Sequence, residues 1–294
     1  MKSLLFRWFM NLVVLFGRLE ALVLPVSWLL AMGRWSAHLI FRFVPSMRAA
    51  LLENAEHLLP DATPAQREQH GVAVLTSFSR FFVELLTPRK TGLPLDVDLY
   101  TLVRGMQHAE AARAQGQGVI CVTLHMGNYE LGPMLIPQLV DQRVAVVYTP
   151  DPWGVFERLR SGRRRARQVE EIPIQGALFT VEARRVLEEG GVVLAAADVG
   201  FSHQRGKPYP FLDGTARFLD WPAVLSRSTG APLVPCVCYR DPELGEYRFE
   251  MRAAITPGEV DAMMRELVGV FGEFVRRFPD QWLILHPYWE RDRD

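Results

Sequence analysis

Four short, nearly continuous apolar runs mark the central and later parts of the chain: "VICVTL" (119–124), "VAVVY" (144–148), "VVLAAA" (192–197) and "PLVPCVCY" (232–239). Runs of this length without polar alternation fit strands covered by helices on both faces. "YRFEMRAAIT" (247–256) alternates better, which suits a strand nearer a sheet edge. Over 259–278, Val260, Met263, Met264, Leu267, Phe271, Phe274, Val275 and Phe278 fall on one stripe at helical spacing. Upstream, 47–59 and 63–86 read as helices, the second opened by Thr63-Pro64 with proline at the first helical position. Residues 88–98 read as a connection and 98–115 as a further helix. "SHQRGKPYPFLDG" (202–214) is punctuated by glycine and proline and reads as a loop, either a plain one or a lid or wall over a site. The expected fold is α/β, a mixed central sheet flanked by helices, with a helical hydrophobic N-terminal region.

That region has its own pattern. From Trp8 to Leu30 the chain is long enough for a membrane span, but Arg18 and Glu20 interrupt its middle and Pro25 would kink it. No small-residue cleavage site follows, so a secretory signal fits poorly. A weak span, a helix lying in the lipid interface and a buried hairpin are the three readings. Trp8, Trp28 and Trp35 beside Arg7, Arg34 and Arg42 suit an interface, where aromatic rings and basic heads meet headgroups. Residues 1–43 are therefore expected to attach to a membrane, with residues 44–294 as one domain on its cytoplasmic side.

Composition narrows the partners. Formal net charge is zero, so bulk charge points to neither nucleic acid nor another polyanion. Positive charge is nearly all arginine, with Lys2, Lys90 and Lys207 the only lysines. Arginine binds phosphate and carboxylate bidentately. The densest charge run, "ERLRSGRRRARQ" (157–168), follows a strand end and reads as a site for lipid phosphates, against the alternative of a solvated helix face. Cys121, Cys236 and Cys238 sit inside apolar runs, which suits small core residues. His38, His57, His70, His108, His203 and His286 show no metal-ligand spacing, and no metal or cofactor is expected.

Candidate chemistry concentrates in "TLHMGNYELG" (123–132). His125 ends a strand run, where α/β sheets carry their sites, and Glu130 falls in the first turn of the next helix. A carboxylate on one imidazole nitrogen makes the other a general base, here with Glu130 as the expected partner. The amides from Met126 to Asn128 are candidates for an oxyanion site. No serine or cysteine stands at a nucleophile elbow, so a covalent acyl-enzyme is not expected. A strand-end histidine followed by a glutamate at a helix dipole remains the plain alternative.

"HMGNYE" resembles the H-x4-D/E motif of glycerolipid acyltransferases, and is closest to the H-x-G-N-W-E form of the lipid A late acyltransferase family (lauroyl/myristoyl transferases). Further blocks are similar in order and spacing: "ENAEHLLPDATPAQRE" (53–68), "VVYTPD" (146–151) with the arginines after it, "EEGGVVLAAADVG" (188–200), "PFLDGTARFLDWPAVLSRSTGAPLVP" (210–235) and "FPDQWLILHPYW" (278–289). The resemblance makes 44–294 the acyltransferase domain, His125 the base and Glu130 its partner. It sets Gly127 and Asn128 on the motif turn and Asp198 in substrate binding or site architecture. Arg164 matches the second-block arginine, with Arg163 and Arg165 as rivals.

The implied reaction moves a fatty acyl chain from acyl carrier protein or acyl-CoA to a hydroxyl or amine of a glycolipid such as a lipid A precursor, at the cytoplasmic face of a bacterial inner membrane. Tyr129 in place of the usual Trp, Val199-Gly200 after Asp198, "PFLDG" without a doubled Phe and "HPYWE" without its arginine depart from the pattern. These departures bear on the acceptor more than on the reaction. An acyltransferase of another lipid pathway (lysophospholipid or aminolipid), a thioesterase and a non-catalytic lipid-binding protein are the alternatives.

Overall fold

The computed structural model describes residues 23–87, 102–114, 116–150, 155–198 and 206–290, together with Gly17 and Glu20. The expectations for Arg7, Trp8 and Arg18, for the 88–98 connection, for Val199-Gly200 and for His203 lie outside the described residues.

Three helices come first: α1 (Val26–Phe43), α2 (Pro45–Leu58) and α3 (Pro64–Leu86). Thr63 starts α3 with a capping box, its hydroxyl accepting from the Gln66 amide while the Gln66 side chain accepts from the Thr63 amide. Such a cap contributes about 1 kcal/mol and fixes where the helix begins. The α/β body then runs β1 (Val103–Arg104), α4 (Met106–Arg113), β2 (Val119–Thr123), α5 (Leu131–Leu135), β3 (Val144–Tyr148), α6 (Val155–Ala166), β4 (Glu170–Pro173), α7 (Leu178–Glu188), β5 (Val192–Ala196), β6 (Lys207–Phe211), β7 (Gly214–Phe218), α8 (Trp221–Thr229), β8 (Leu233–Arg240), β9 (Tyr247–Met251) and α9 (Val260–Arg277).

Seven strands form a sheet in the order β1-β9-β8-β2-β5-β3-β4, parallel except where β9 meets β8. The four apolar runs are its centre. Ile120 and Val122 of β2 face the side of the sheet covered by α7 and α9, packing in one core with Val186, Phe271 and Phe274. Cys121 faces the other side, in a second core with Leu131, Leu135 and Phe249. Burial on both faces is why these strands carry no polar alternation.

Three elements differ from the sequence pattern. The helix expected over 98–115 begins only at Met106, because Val103 and Arg104 pair with β9 and Gly105 turns the chain with a φ of 75°. The short β4, "EEIP", pairs along the sheet edge beside β3, and it lacks an apolar run because only Ile172 is buried in it. The stretch expected as a loop holds instead a two-stranded antiparallel ribbon, β6 with β7, burying Tyr209 and Phe211. Pro208 and Pro210 fit there because a two-stranded ribbon leaves one edge of each strand unpaired.

The N-terminal helices join this body through α2, where Asn54 donates to the Ile284 and His286 carbonyls and His57 stacks on Trp289, and through α3. Ala37 and Phe41 of α1 pack with Leu51, Val74 and Leu75, and further along α3 Phe81 and Leu85 pack with Leu159 and Leu283. On its other side α1 exposes Trp28, Met32, Trp35 and Phe43. Among the described residues, no helix is long and apolar enough to cross a membrane.

Phe271 is fully buried between α9 and the sheet. Phe271→Ala is expected to cost about 3–5 kcal/mol of unfolding free energy. Urea denaturation measures it, and a loss below about 1 kcal/mol would contradict a load carried at that site.

Candidate active site

Strand register builds the centre of the site. β2 and β5 run parallel with Thr123 opposite Ala196, so two residues beyond each strand His125 comes to stand beside Asp198. The His125 Nδ1 lies 2.7 Å from Asp198 Oδ1, and the His125 amide donates to Oδ2 at 2.9 Å. Trp282 Nε1 donates to the same Oδ2 at 3.0 Å. Asp198 is fully buried. Burial alone would raise its pKa, but the His125 charge and the hydrogen bonds from His125 and Trp282 outweigh that and hold the carboxyl below its ordinary value. With Nδ1–H donated to Asp198, Nε2 is left as the imidazole's acceptor.

The carboxylate beside the imidazole is therefore Asp198, and the expected Glu130 contact is corrected. Glu130 turns away to α6, where Arg164 donates to it at 2.8 Å and Arg160 at 3.5 Å. These arginines are four residues apart and share one helix face. Burial would raise the Glu130 pKa, yet the charges of Arg164 and Arg160 hold it below the usual carboxylate range. Arg164 also bonds Glu171 at 3.2 Å and lies over the Tyr148 ring. Arg163 points elsewhere, its guanidinium bonded to the Leu85 carbonyl at the end of α3. Arg165 is exposed. Within the charge run, these inward arginines tie α6 to its neighbours.

The turn after His125 is clamped from both sides. Leu283 N donates to the His125 carbonyl at 2.8 Å, and Gly127 N to the Gln281 carbonyl at 2.9 Å. Gly127 has a φ of 54°, and a Cβ there would lie 2.5 Å from the Cys238 carbonyl oxygen, so only glycine fits. Asn128 donates to Glu84 Oε2 at 2.9 Å, and the Tyr247 hydroxyl to the same oxygen at 2.7 Å. Burial raises the Glu84 pKa against the pull of these bonds and of Arg80 and Arg240. The amides proposed for an oxyanion are already engaged: Met126 N donates to Leu124 O, Gly127 N to Gln281 O and Asn128 N to the Cys238 sulfur. Tyr129 packs edge-on against His125 and stacks on Phe81, and burial pushes its phenol up to about 12.

His125 opens onto a cavity of about 310 Å³. Tyr129, Glu130, Arg160 and Arg164 stand with it, Phe78, Phe81 and Leu85 of α3 form an apolar wall, and the space continues along the sheet face to Cys121 and Cys236. Of the candidate site residues, His125, Glu130 and Arg164 line this space, and His286, read as a histidine without a site role, lines it as well. Gly127, Asn128 and Asp198 are packed beside it and shape it, and Arg163 does not reach it. Phe81, which with Phe82 reads more simply as core, is part of the wall. Sequence reasoning missed Trp282, Gln281, Glu84 and Arg160. A signal existed for Glu84, a lone acid in the apolar stretch "FFVELL". Among the described residues, no group of His, Cys, Asp and Glu is arranged to hold a metal ion.

The two carboxylates are separable by spectroscopy. Nitrogen-15 spectra of neutral His125 should report an Nδ1–H imidazole in the wild type and in Glu130→Gln, and a mixed or reversed tautomer in Asp198→Asn. The opposite pattern would return Glu130 to the imidazole.

Comparison with known proteins bears on this geometry. A family model described as bacterial lipid A biosynthesis acyltransferase matches residues 2–291. The chain is 26% identical over 224 residues to a phosphatidylinositol mannoside acyltransferase of Mycobacterium tuberculosis, covering 75% of this chain and 70% of the relative. A phosphatidylinositol mannoside acyltransferase of Mycolicibacterium smegmatis is 24% identical over 229 residues, with 75% and 72% covered. A match over nearly the whole chain, with a histidine and a buried carboxylate at the mouth of an apolar cavity, leaves one conclusion: the chain belongs to the bacterial lipid A biosynthesis acyltransferase family and is an acyltransferase.

Proposed function

We propose that the protein transfers a fatty acyl chain from an acyl thioester, carried on acyl carrier protein or CoA, to a hydroxyl of a glycolipid at the cytoplasmic face of a bacterial inner membrane. The observation that carries this reading is the Asp198–His125 pair at the mouth of the 310 Å³ cavity. The relatives named for a mannosylated phosphatidylinositol support a glycolipid acceptor.

In the proposed reaction His125 Nε2 takes the proton of the acceptor hydroxyl as its oxygen attacks the thioester carbonyl. Asp198 orients the ring and stabilises the imidazolium that forms. The tetrahedral intermediate collapses, its C–S bond breaks, and the imidazolium returns the proton to the departing thiolate. No acyl-enzyme forms. Arg160 and Arg164 put positive charge on the cavity wall within reach of developing negative charge. Glu130 holds both guanidiniums in place, a different task from the one its spacing suggests. The apolar cavity takes the acyl chain, whose burial contributes about 0.8 kcal/mol per methylene.

The exposed stripe of Trp28, Met32, Trp35 and Phe43 along α1 supports attachment in the lipid interface, since these positions fall on one side of a helix. Arg34 and Arg42 flank it, where anionic headgroups would lie.

Transfer from a radiolabelled acyl thioester to a bacterial lipid extract should disappear in His125→Ala. In Asp198→Asn, kcat should fall by about 10²- to 10⁴-fold. Wild-type protein that transfers to no extract from either carrier would overturn the reading. For the membrane contact, changing Trp28, Trp35 and Phe43 together to Glu should move the protein from the vesicle-bound to the free fraction in flotation with anionic liposomes. Equal recovery would remove α1 from the contact.

A further inference from the structure

We infer that Cys121 is the stop that sets the length of the acyl chain. This rests on the proposal that the cavity holds that chain. His125, Thr123 and Cys121 alternate onto one face of β2, and all three line the cavity. Cys121 stands at its inner end, level with Leu194 of β5 and Val146 of β3 and packed against the Cys236 thiol of the neighbouring β8. A second void of about 20 Å³ continues beyond it on the same sheet face, lined by Val119, Ile136, Val192 and Met251 among others. Among the described residues, Cys121 alone lines both spaces. A small, fully buried side chain therefore divides what would otherwise be one longer channel.

The geometry sets the length. Four strand positions separate His125 from Cys121, about 13 Å at roughly 3.3 Å per residue. An extended hydrocarbon advances ~1.3 Å per carbon, given C–C bonds near 1.5 Å in staggered torsions. A straight chain from a carbonyl at His125 thus meets Cys121 after about ten methylenes, an acyl group of about twelve carbons. Removing the thiol joins the two spaces and admits up to about five carbons more, because the next side chain on that face, Val119, stands two strand positions further in.

The experiment compares wild type, Cys121→Ala, Cys121→Leu and Cys121→Ala/Val119→Ala with thioesters from C8 to C18, each variant first checked by thermal melting. The same series of free fatty acids is titrated by calorimetry. Wild type should prefer about C12, and Cys121→Leu shorter chains. Cys121→Ala should raise the C14-to-C12 ratio of kcat/KM by about fifteenfold, given roughly fourfold for each of two buried methylenes. The double variant should reach further, whereas Val119→Ala alone should leave the profile where it is. Profiles that do not move in folded variants would overturn the inference while leaving the acyltransfer reading intact. Absence of transfer with a binding series that shifts as described would uphold Cys121 as the stop and overturn the proposed reaction. Absence of fatty-acid binding at every length would overturn the use of the cavity.

Discussion

A carboxylate with no solvent exposure is stable as an anion only when its lone pairs are met by donors, and Asp198 meets that constraint with three. Those donors come from two places distant in sequence: the turn after β2 and the segment that follows α9. The residue itself follows β5. One buried group thus ties together the end of a central strand, its neighbour and the last part of the described chain. The imidazole is its third partner, so the interaction that secures the architecture also orients the base. Losing the carboxylate would strand Trp282 Nε1 and the His125 amide as unpaired donors in the interior, which is costly in itself.

The same logic runs outward through the rest of the site. Glu84, buried on α3, receives Asn128 and Tyr247, fixing α3 against the turn that carries His125. Glu130 receives Arg160 and Arg164, fixing α6 against the start of α5. Each acid is paired by groups from another element, so the polar centre of the molecule is a set of cross-links between elements. Between them the chain leaves an apolar space walled by α3 and the sheet, a division that suits a substrate with a reactive polar end and a hydrocarbon tail.

Much of the fold was legible in the sequence because burial on both faces leaves a direct trace. The four central strands and α9 read out as apolar runs and an apolar stripe, and α3 announced its first turn through Thr63-Pro64. The elements that escaped are those whose formation is decided by a partner. β1 is two residues long and exists through its pairing with β9, β4 is an edge strand of mostly polar residues, and the β6–β7 ribbon contains two prolines. None of them has a period to read.

The site divides along the same line. The sequence alone determined that His125 stands at a strand end before a tight turn, that Gly127 and Asn128 make that turn, and that a family of acyltransferases shares the pattern. The resemblance also put Asp198 in substrate binding or site architecture and matched Arg164 to the second-block arginine, without naming their partners. Only the tertiary structure decided that Asp198 and not Glu130 holds the imidazole, because a parallel register between β2 and β5 spans seventy-three positions that no local spacing encodes. Proximity in sequence favoured Glu130, five residues on from the histidine. The field of two arginines on α6 drew that carboxylate away, and the strand pairing delivered the other.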